Sequence, residues 1–366
     1  MIIKHIELSN FRNYKELSLN FHSGTNIFYG DNAQGKTNIL ESICLCSTAK
    51  SHRTNKDREL IYFSEEEAHI KLFLEKKNSE YRIDVHLKAN KPKGLAINGI
   101  PIHKISELLG ILNLIFFSPE DLNLIKRGPS ERRRFLDIEL CQLNSFYTNS
   151  LASYNKVLNQ RNHLLKDLFF QPGLIDTLDI WDLQLCNYGK NVMRERKKFI
   201  EELNQIIVEI HKNLTSGKET IELIYEPSVE EEDFEKNLND LREREIKQKI
   251  SLIGPHRDDI CFLVNGIDIR KFGSQGQQRT AALSLKLSEI ALIKKIRNDT
   301  PVLLLDDVMS ELDNSRQLQL LNYVSSVQTF LTCTGLDDLV NCHFPIDRLF
   351  FVSEGKVICK NTREEL

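Results

Sequence analysis

Apolar and polar residues alternate along Ile2–Phe11, the period-two pattern of a half-buried strand. Gly24–Tyr29 (GTNIFY) reads as a second, more apolar strand. A loop from Gly30 follows, and KTNILESICLCSTA opens a helix near Lys36. Alternation returns at 67–75 and 81–89, where Tyr81, Ile83, Val85 and Leu87 fall on one side. Asn98-Gly99 and Asn265-Gly266 are hairpin signals, because both central residues of such a turn adopt positive φ.

From about Glu131 the period changes. Leu136, Leu140, Leu143, Tyr147, Leu151, Tyr154 and Leu158 recur at threes and fours, as do Leu185, Tyr188, Val192, Phe199, Leu203, Ile206 and Ile210. These stripes predict two long helices, antiparallel across Gln171-Pro172-Gly173. About 30 residues at ~1.5 Å each give an arm about 45 Å long, serving either as the core of a helical lobe or as a partner-binding arm. An acidic stretch, Glu230–Asp233, and a helix over 234–250 complete the segment. Strand signals resume at 260–269, PVLLLDD, TFLTCTG and DRLFFVSEGKVI. Strands alternating with helices predict an α/β fold with a mainly parallel sheet. That sheet domain, 1–125 plus 252–366, is split by a helical insertion, 126–251.

Composition is ordinary: 41% hydrophobic and 28% charged residues, with no apolar run long enough for a membrane span. No signal-peptide pattern opens the chain, and the eight cysteines are scattered without zinc-site spacing. Reduced thiols and a cytoplasmic location are therefore expected. The net charge of −3 argues against a basic coat but leaves room for a local basic strip.

Gly30-x-x-x-x-Gly35-Lys36-Thr37 matches the P-loop pattern, between a strand and a helix as that pattern requires. Within Gly30, Asp31, Asn32, Ala33, Gln34, Gly35, Lys36, Thr37 and Asn38, glycines let backbone N–H groups turn around phosphate oxygens. Lys36 brings charge to the β- and γ-phosphates, and the Thr37 hydroxyl suits Mg²⁺. The apolar run 302–305 ends in Asp306, placed to hold the metal with Thr37, and Asp307, placed to orient an attacking water. No guanine-reading Asn-Lys-x-Asp motif occurs, so ATP is expected over GTP. A second anion-binding end stands at GSQGQQRT (273–280), where Ser274 offers a hydroxyl and Gly276 a backbone N–H ahead of a long helix.

Ser274, Gly276 and Gln277 resemble the signature motif of ABC-type ATPases, and Ser310-Glu311-Leu312-Asp313 resembles their D-loop. Together with NFRNY, GDNAQGKTN, SPEDL, GPSERRRFLD, GPHRDD and LLLDDVMSELD, the chain from residue 2 to about 350 resembles the RecF family of bacterial recombination and repair proteins. The resemblance implies an ABC-type head, similar to those of the structural-maintenance-of-chromosomes ATPases but with a short helical arm. It implies a head-to-tail homodimer formed on ATP, with one copy's signature completing the other's pocket, and slow DNA-stimulated hydrolysis as the off switch. It also implies roles in DNA replication, recombinational repair and the SOS response, binding to duplex DNA and single-strand/double-strand junctions, and partners RecR, RecO and, indirectly, RecA.

Asp307 stands where many ABC ATPases have Glu, so slow turnover is expected. Arg12 is placed to reach the phosphates or adenine. Glu120 stands in for a missing Q-loop glutamine, and Thr332-Cys333-Thr334 replaces a switch histidine, which counts against transport. A transporter ATPase and a small-molecule kinase are the competing classes; the kinase leaves 273–280 unexplained. Candidate DNA contacts are Lys50, Arg53, Lys56, Arg58, Lys88, Lys91 and Lys93, with further basic runs at 126–134 and 194–198. The sequence offers no role for His256-Arg257-Asp258-Asp259.

Overall fold

In the computed structural model, residues 1–360 are described apart from 122, 123 and 342. They divide into two compact units, Met1–Leu122 with Leu283–Leu366, and Asn123–Ala282.

The first unit contains two six-stranded sheets. One is wholly antiparallel, in the order β2-β1-β4-β5-β6-β7. Its strands are β1 (Ile2–Phe11), β2 (Tyr14–Asn20), β4 (Glu67–Lys76), β5 (Ser79–Lys88), β6 (Lys91–Ile97) and β7 (Ile100–Ile102). The other has the order β15-β14-β3-β13-β12-β8. It comprises β3 (Thr25–Tyr29), β8 (Leu114–Phe117), β12 (Val302–Asp306), β13 (Thr329–Cys333), β14 (Arg348–Ser353) and β15 (Lys356–Lys360). All its pairs are parallel except β14 with β15. The single mainly parallel sheet expected from sequence is thus two sheets. Crossover helices require parallel neighbours, whereas hairpin-linked strands such as β1–β2 and β4–β5 pair antiparallel.

Helix α1 (Lys36–Thr48) packs against both sheets. Ile39, Leu40, Ile43 and Leu45 share one core with Ile6, Ile70 and Ile83 of the first sheet and Phe28, Leu304 and Phe330 of the second. Burial on most of its sides is the expected consequence of lying between two layers, and its buried Glu41 then needs a partner. The short helices α2 (Ile105–Leu108) and α10 (Asp337–Asn341), with α9 (Asn314–Val324), complete the helices wholly within this unit.

The second unit holds α3 (Pro129–Leu143), α4 (Ser145–Asp167), α5 (Leu178–Leu214), α6 (Phe234–Gln248) and α7 (Ile269–Phe272). It also holds a three-stranded sheet, β11-β10-β9, of Ile267–Asp268, Asp259–Val264 and Ile221–Glu226. The stripe at 136–158 is two helices, not one. Asn144 is extended at φ −143, and its side chain caps α4 by accepting from the Phe146 and Tyr147 amides. The 37-residue α5 spans about 55 Å at ~1.5 Å per residue, longer than expected. The insertion also exceeds the expected 126–251. Strand β10 pairs with β9 along its whole length, so 259–264 belongs with the arm rather than with the parallel sheet. The division falls inside α8 (Gln275–Arg297), between Ala282 and Leu283. Both Asn-Gly turns form as expected: Asn98 and Gly99 at φ 53 and 80, Asn265 and Gly266 at φ 51 and 77.

Candidate nucleotide-binding site

Strand β3 lies between β14 and β13, and the loop 30–35 leaves its carboxyl end for α1. Ligands of open α/β sheets bind at such edges. The loop conformation needs its glycines: Gly30 and Gly35 sit at φ 143 and 113. A Cβ at Gly30 would stand 2.3 Å from the Val352 carbonyl oxygen, and one at Gly35 would stand 2.4 Å from Asn13 Nδ2. Ala33 also takes positive φ, 64°. The Asn13 and Tyr14 side chains donate to the Gln34 and Gly35 carbonyls at 3.0 and 3.1 Å, fixing the loop from β2 and the turn before it.

Lys36 is buried, and its ammonium donates to the Gly30 and Asp31 carbonyls at 2.5 and 2.7 Å. Burial pushes its pKa down, against the charges of Cys333, Asp307, Asp306 and Asp31. The Thr37 hydroxyl donates to Asp306 Oδ1 at 2.8 Å, so the two expected metal-holding groups touch across 269 residues of chain. Thr332, at the end of β13, donates to the same oxygen at 2.7 Å and accepts the Asp307 amide at 2.9 Å. From sequence Thr332 stood only as a substitute for a switch histidine; its hydroxyl also orients the Asp306 carboxylate and holds the Asp307 amide.

The residues fit a Mg²⁺-bound triphosphate. The loop needs glycine at the two positions where phosphate-cradling loops need it, and a buried ammonium lies inside it. A hydroxyl and a carboxylate already meet where a hard cation takes oxygen ligands.

Arg12 is committed elsewhere. Its guanidinium makes a two-pronged ion pair with Glu41 of α1, both bonds 2.8 Å, and donates to the Glu59 carbonyl at 2.7 Å. Its expected reach to nucleotide therefore starts from a paired state, in which it serves the fully buried Glu41, a carboxylate that needs a cation. Burial raises the Glu41 pKa, but Arg12 and the Ser51 hydroxyl outweigh it and hold the carboxyl below its ordinary range.

At the start of α8, Ser274 Oγ accepts the Gln277 amide at 3.2 Å, and Gln277 Oε1 accepts the Ser274 amide at 3.1 Å. This reciprocal capping pair satisfies two helix-end donors. Gln277 is further held by Glu219 at 3.0 Å. Ser274, Gln275 and Gly276 remain exposed, and an accepting hydroxyl still has its own hydrogen to donate.

Residues 2–343 match the family described as the RecF/RecN/SMC N terminal domain. The chain is 59% identical over 357 residues to a DNA replication and repair protein RecF of Agathobacter rectalis, covering 98% of this chain and 99% of that one. The chain belongs to the RecF family. A RecF of Lachnospira eligens is 58% identical over 363 residues, covering 99% of this chain and all of its own. A solved RecF–ATP structure of the RecFOR pathway superposes with a TM-score of 0.91 at 36% identity, covering 98% and 97% of the two chains. An Smc head from Pyrococcus furiosus shares the fold, with a TM-score of 0.57 at 18% identity over 98% of this chain and 96% of that one. The ABC-type head expected from sequence is thereby shown.

Against that RecF framework, the remaining candidates differ in availability. Lys93 is taken up by Asp57 (2.7 Å) and the Ala49 carbonyl (2.8 Å), and Lys88 pairs with Glu67 at 3.1 Å. These two lysines are paired within the chain, so contact with DNA would have to displace Asp57 and Glu67. Arg53 donates to Asn38 (3.1 Å), Arg58 to the Glu65 carbonyl (3.1 Å), and Lys56 pairs loosely with Glu59 (3.7 Å). Lys50 and Lys91 are exposed. Glu120 lies in the turn that Asp121 closes by accepting the Ser118 amide and hydroxyl; Leu122, the last residue of SPEDL, is outside the described residues. Of the D-loop residues, Asp313 caps α9 by accepting the Arg316 amide at 3.0 Å.

The motif at 256–259, silent in the sequence, is the polar hub of the second unit. Asp258 accepts from the Tyr225 hydroxyl and, at 2.8 Å, from the Ser228 amide. Asp259 takes a two-pronged pair from Arg132 at 2.6 and 2.9 Å. His256 lies between Tyr154 (2.7 Å) and the Ser251 carbonyl (3.1 Å). Because a carbonyl only accepts, Nε2 carries the proton and Nδ1 accepts from Tyr154. A further residue near the site that the sequence did not signal is His52, whose ring lies tilted against Phe116 with centroids 4.1 Å apart.

Proposed function

We propose that this chain is an ATP-switched DNA-binding protein of recombinational repair and replication, dimerising head to tail when ATP is bound. The observation carrying this reading is the exposed, internally capped Ser274–Gly276 helix end in a chain that already possesses a phosphate-binding loop. A second anion-binding end is explained economically if it serves the nucleotide of another copy. Lys36 and the loop amides bind the triphosphate. Thr37 and Asp306 hold Mg²⁺, which neutralises phosphate charge. Asp307 orients water for hydrolysis, which removes the γ-phosphate that bridges the copies and so releases them.

Dimerisation would set two modest basic surfaces side by side. DNA affinity grows with each phosphate neutralised, so a chain of net charge −3 can grip duplex only as a dimer. Lys50, Arg53, Lys56, Arg58 and Lys91 are the contacts best placed to contribute, with junctions as the preferred DNA. That the solved RecF–ATP relative is a recombination mediator of the RecFOR pathway supports RecR and RecO as partners, with RecA reached through them. Among the described residues no helix is long and apolar enough to cross a membrane, which is compatible with the expected cytoplasmic location.

Light scattering of the full chain tests the proposal, with and without a non-hydrolysable ATP analogue and with duplex DNA. The wild type is expected to double in mass on nucleotide and Lys36→Ala to remain monomeric. A wild type that stays solitary with nucleotide and DNA overturns the proposal.

A further inference from the structure

On the solvent face of the antiparallel sheet, away from the P-loop, His69 of β4 stands directly opposite His86 of β5. Their rings stack with centroids 3.9 Å apart and planes 24° from parallel. Glu67 precedes His69 by two residues, which puts it on the same face of β4. Its Oε2 lies 2.8 Å from His86 Nε2. One donor atom from each of the three residues lies within 4.8 Å of the others, which makes them a candidate metal-holding group among the described residues. The register continues outward to Ser9 beside His69 and Gly94 beside His86. Neither is bulky, so the flanks of the pair are open to an entering ion.

Two imidazole nitrogens and one carboxylate oxygen form a donor set that zinc sites use when a coordination position stays open. Hard ions such as Mg²⁺ and Ca²⁺ prefer all-oxygen shells, whereas nitrogen donors favour later first-row metals. Ligand distances of about 2.1 Å bring tetrahedral donors to about 3.4 Å from one another, a closure that side-chain rotations supply here. His86 must shift its Nε2 proton to Nδ1 through solvent, with no net change in protonation.

We propose that Glu67, His69 and His86 form a surface site for a divalent ion of the zinc class, clamping β4 to β5 and leaving a coordination position open to solvent. Lys88, 3.1 Å from Glu67, competes with the ion for the carboxylate. Occupancy would therefore free that lysine and add positive charge to the same sheet face.

The test is titration of nucleotide-free full chain with Co²⁺ alone and with Zn²⁺ alone, followed by absorption and calorimetry. One ion per chain is expected, with a cobalt spectrum of nitrogen and oxygen ligands. His69→Gln and His86→Gln are each expected to weaken binding about ten-fold or more. Lys88→Gln is expected to tighten it, since it removes a repelling charge. Melting in chelator, unchanged by these exposed substitutions, separates a lost site from a lost fold. A thiolate charge-transfer band, equal affinity in wild type and both histidine variants, or no binding at millimolar metal overturns the assignment.

Discussion

Thr332 holds Asp306 from the neighbouring strand: its hydroxyl donates to Asp306 Oδ1 at 2.7 Å while accepting the Asp307 amide at 2.9 Å. Asp307 sits at φ 53, where a non-glycine residue carries backbone strain that its surroundings must stabilise. Thr332→Val keeps the shape and removes both bonds. A stability loss of about 1–3 kcal/mol is expected from the unsatisfied groups. Nucleotide binding is expected to need more Mg²⁺. Thermal melts and a Mg²⁺ titration of analogue binding check the two effects separately.

Arg12→Ala leaves the fully buried Glu41 without its cation, and a loss of about 3 kcal/mol at neutral pH is expected. In the wild type, Glu41 has a folded pKa below its unfolded one. The pair therefore stabilises the fold above the unfolded value, and that stability drains away as pH falls through the folded value. The gap between wild type and variant should narrow below about pH 4.3, where the carboxyl can enter the core neutral. Urea unfolding at pH 7 and pH 4 measures it; a constant gap would contradict the pairing.

Ser274→Asp separates the capping of α8 by Ser274 from its proposed part in a partner's nucleotide pocket. Aspartate caps helices as well as serine does, so the melting temperature should hardly change. It has no hydrogen to donate at neutral pH and brings a negative charge toward phosphate. Nucleotide-dependent dimerisation is therefore expected to disappear from sedimentation profiles while analogue binding to the monomer persists.

His256 is half-buried, and its pKa is pushed down to about 4, by desolvation first and then by the nearby Arg257, Arg133 and Arg161. The unfolded imidazole takes a proton near pH 6.5, long before the folded one. Stability from this residue is full above pH 6.5 and is lost between about 6.5 and 4, with a slope of up to ~1.4 kcal/mol per pH unit. His256→Gln should flatten that part of the stability–pH curve.

The P-loop was readable because its chemistry is local: glycines, a lysine and a hydroxyl within eight residues must bend one loop around an anion. The apolar run ending in Asp306 and both Asn-Gly turns were readable for the same reason, each depending on neighbours in the chain. What misled were features whose meaning is set by distant partners. The helical stripe at 136–158 has the same period whether or not Asn144 breaks it. Arg12 reads as a free cation until Glu41, 29 residues on, is seen to need it. Lys93 likewise reads as a free cation until Asp57 is found 2.7 Å away.

Sequence alone therefore marked out the phosphate loop and the presence of a helical arm, and pointed to the carboxylates 306–307 and to Ser274, since periodicity and turn chemistry act between near neighbours. Only the folded chain decided that β10 joins the arm through β9, that Thr332 orients Asp306, and that 256–259 is a polar hub around the buried Asp258. Those outcomes come from strand pairing and ion pairing across long separations in sequence, where burial, not spacing, selects the partner of each polar group.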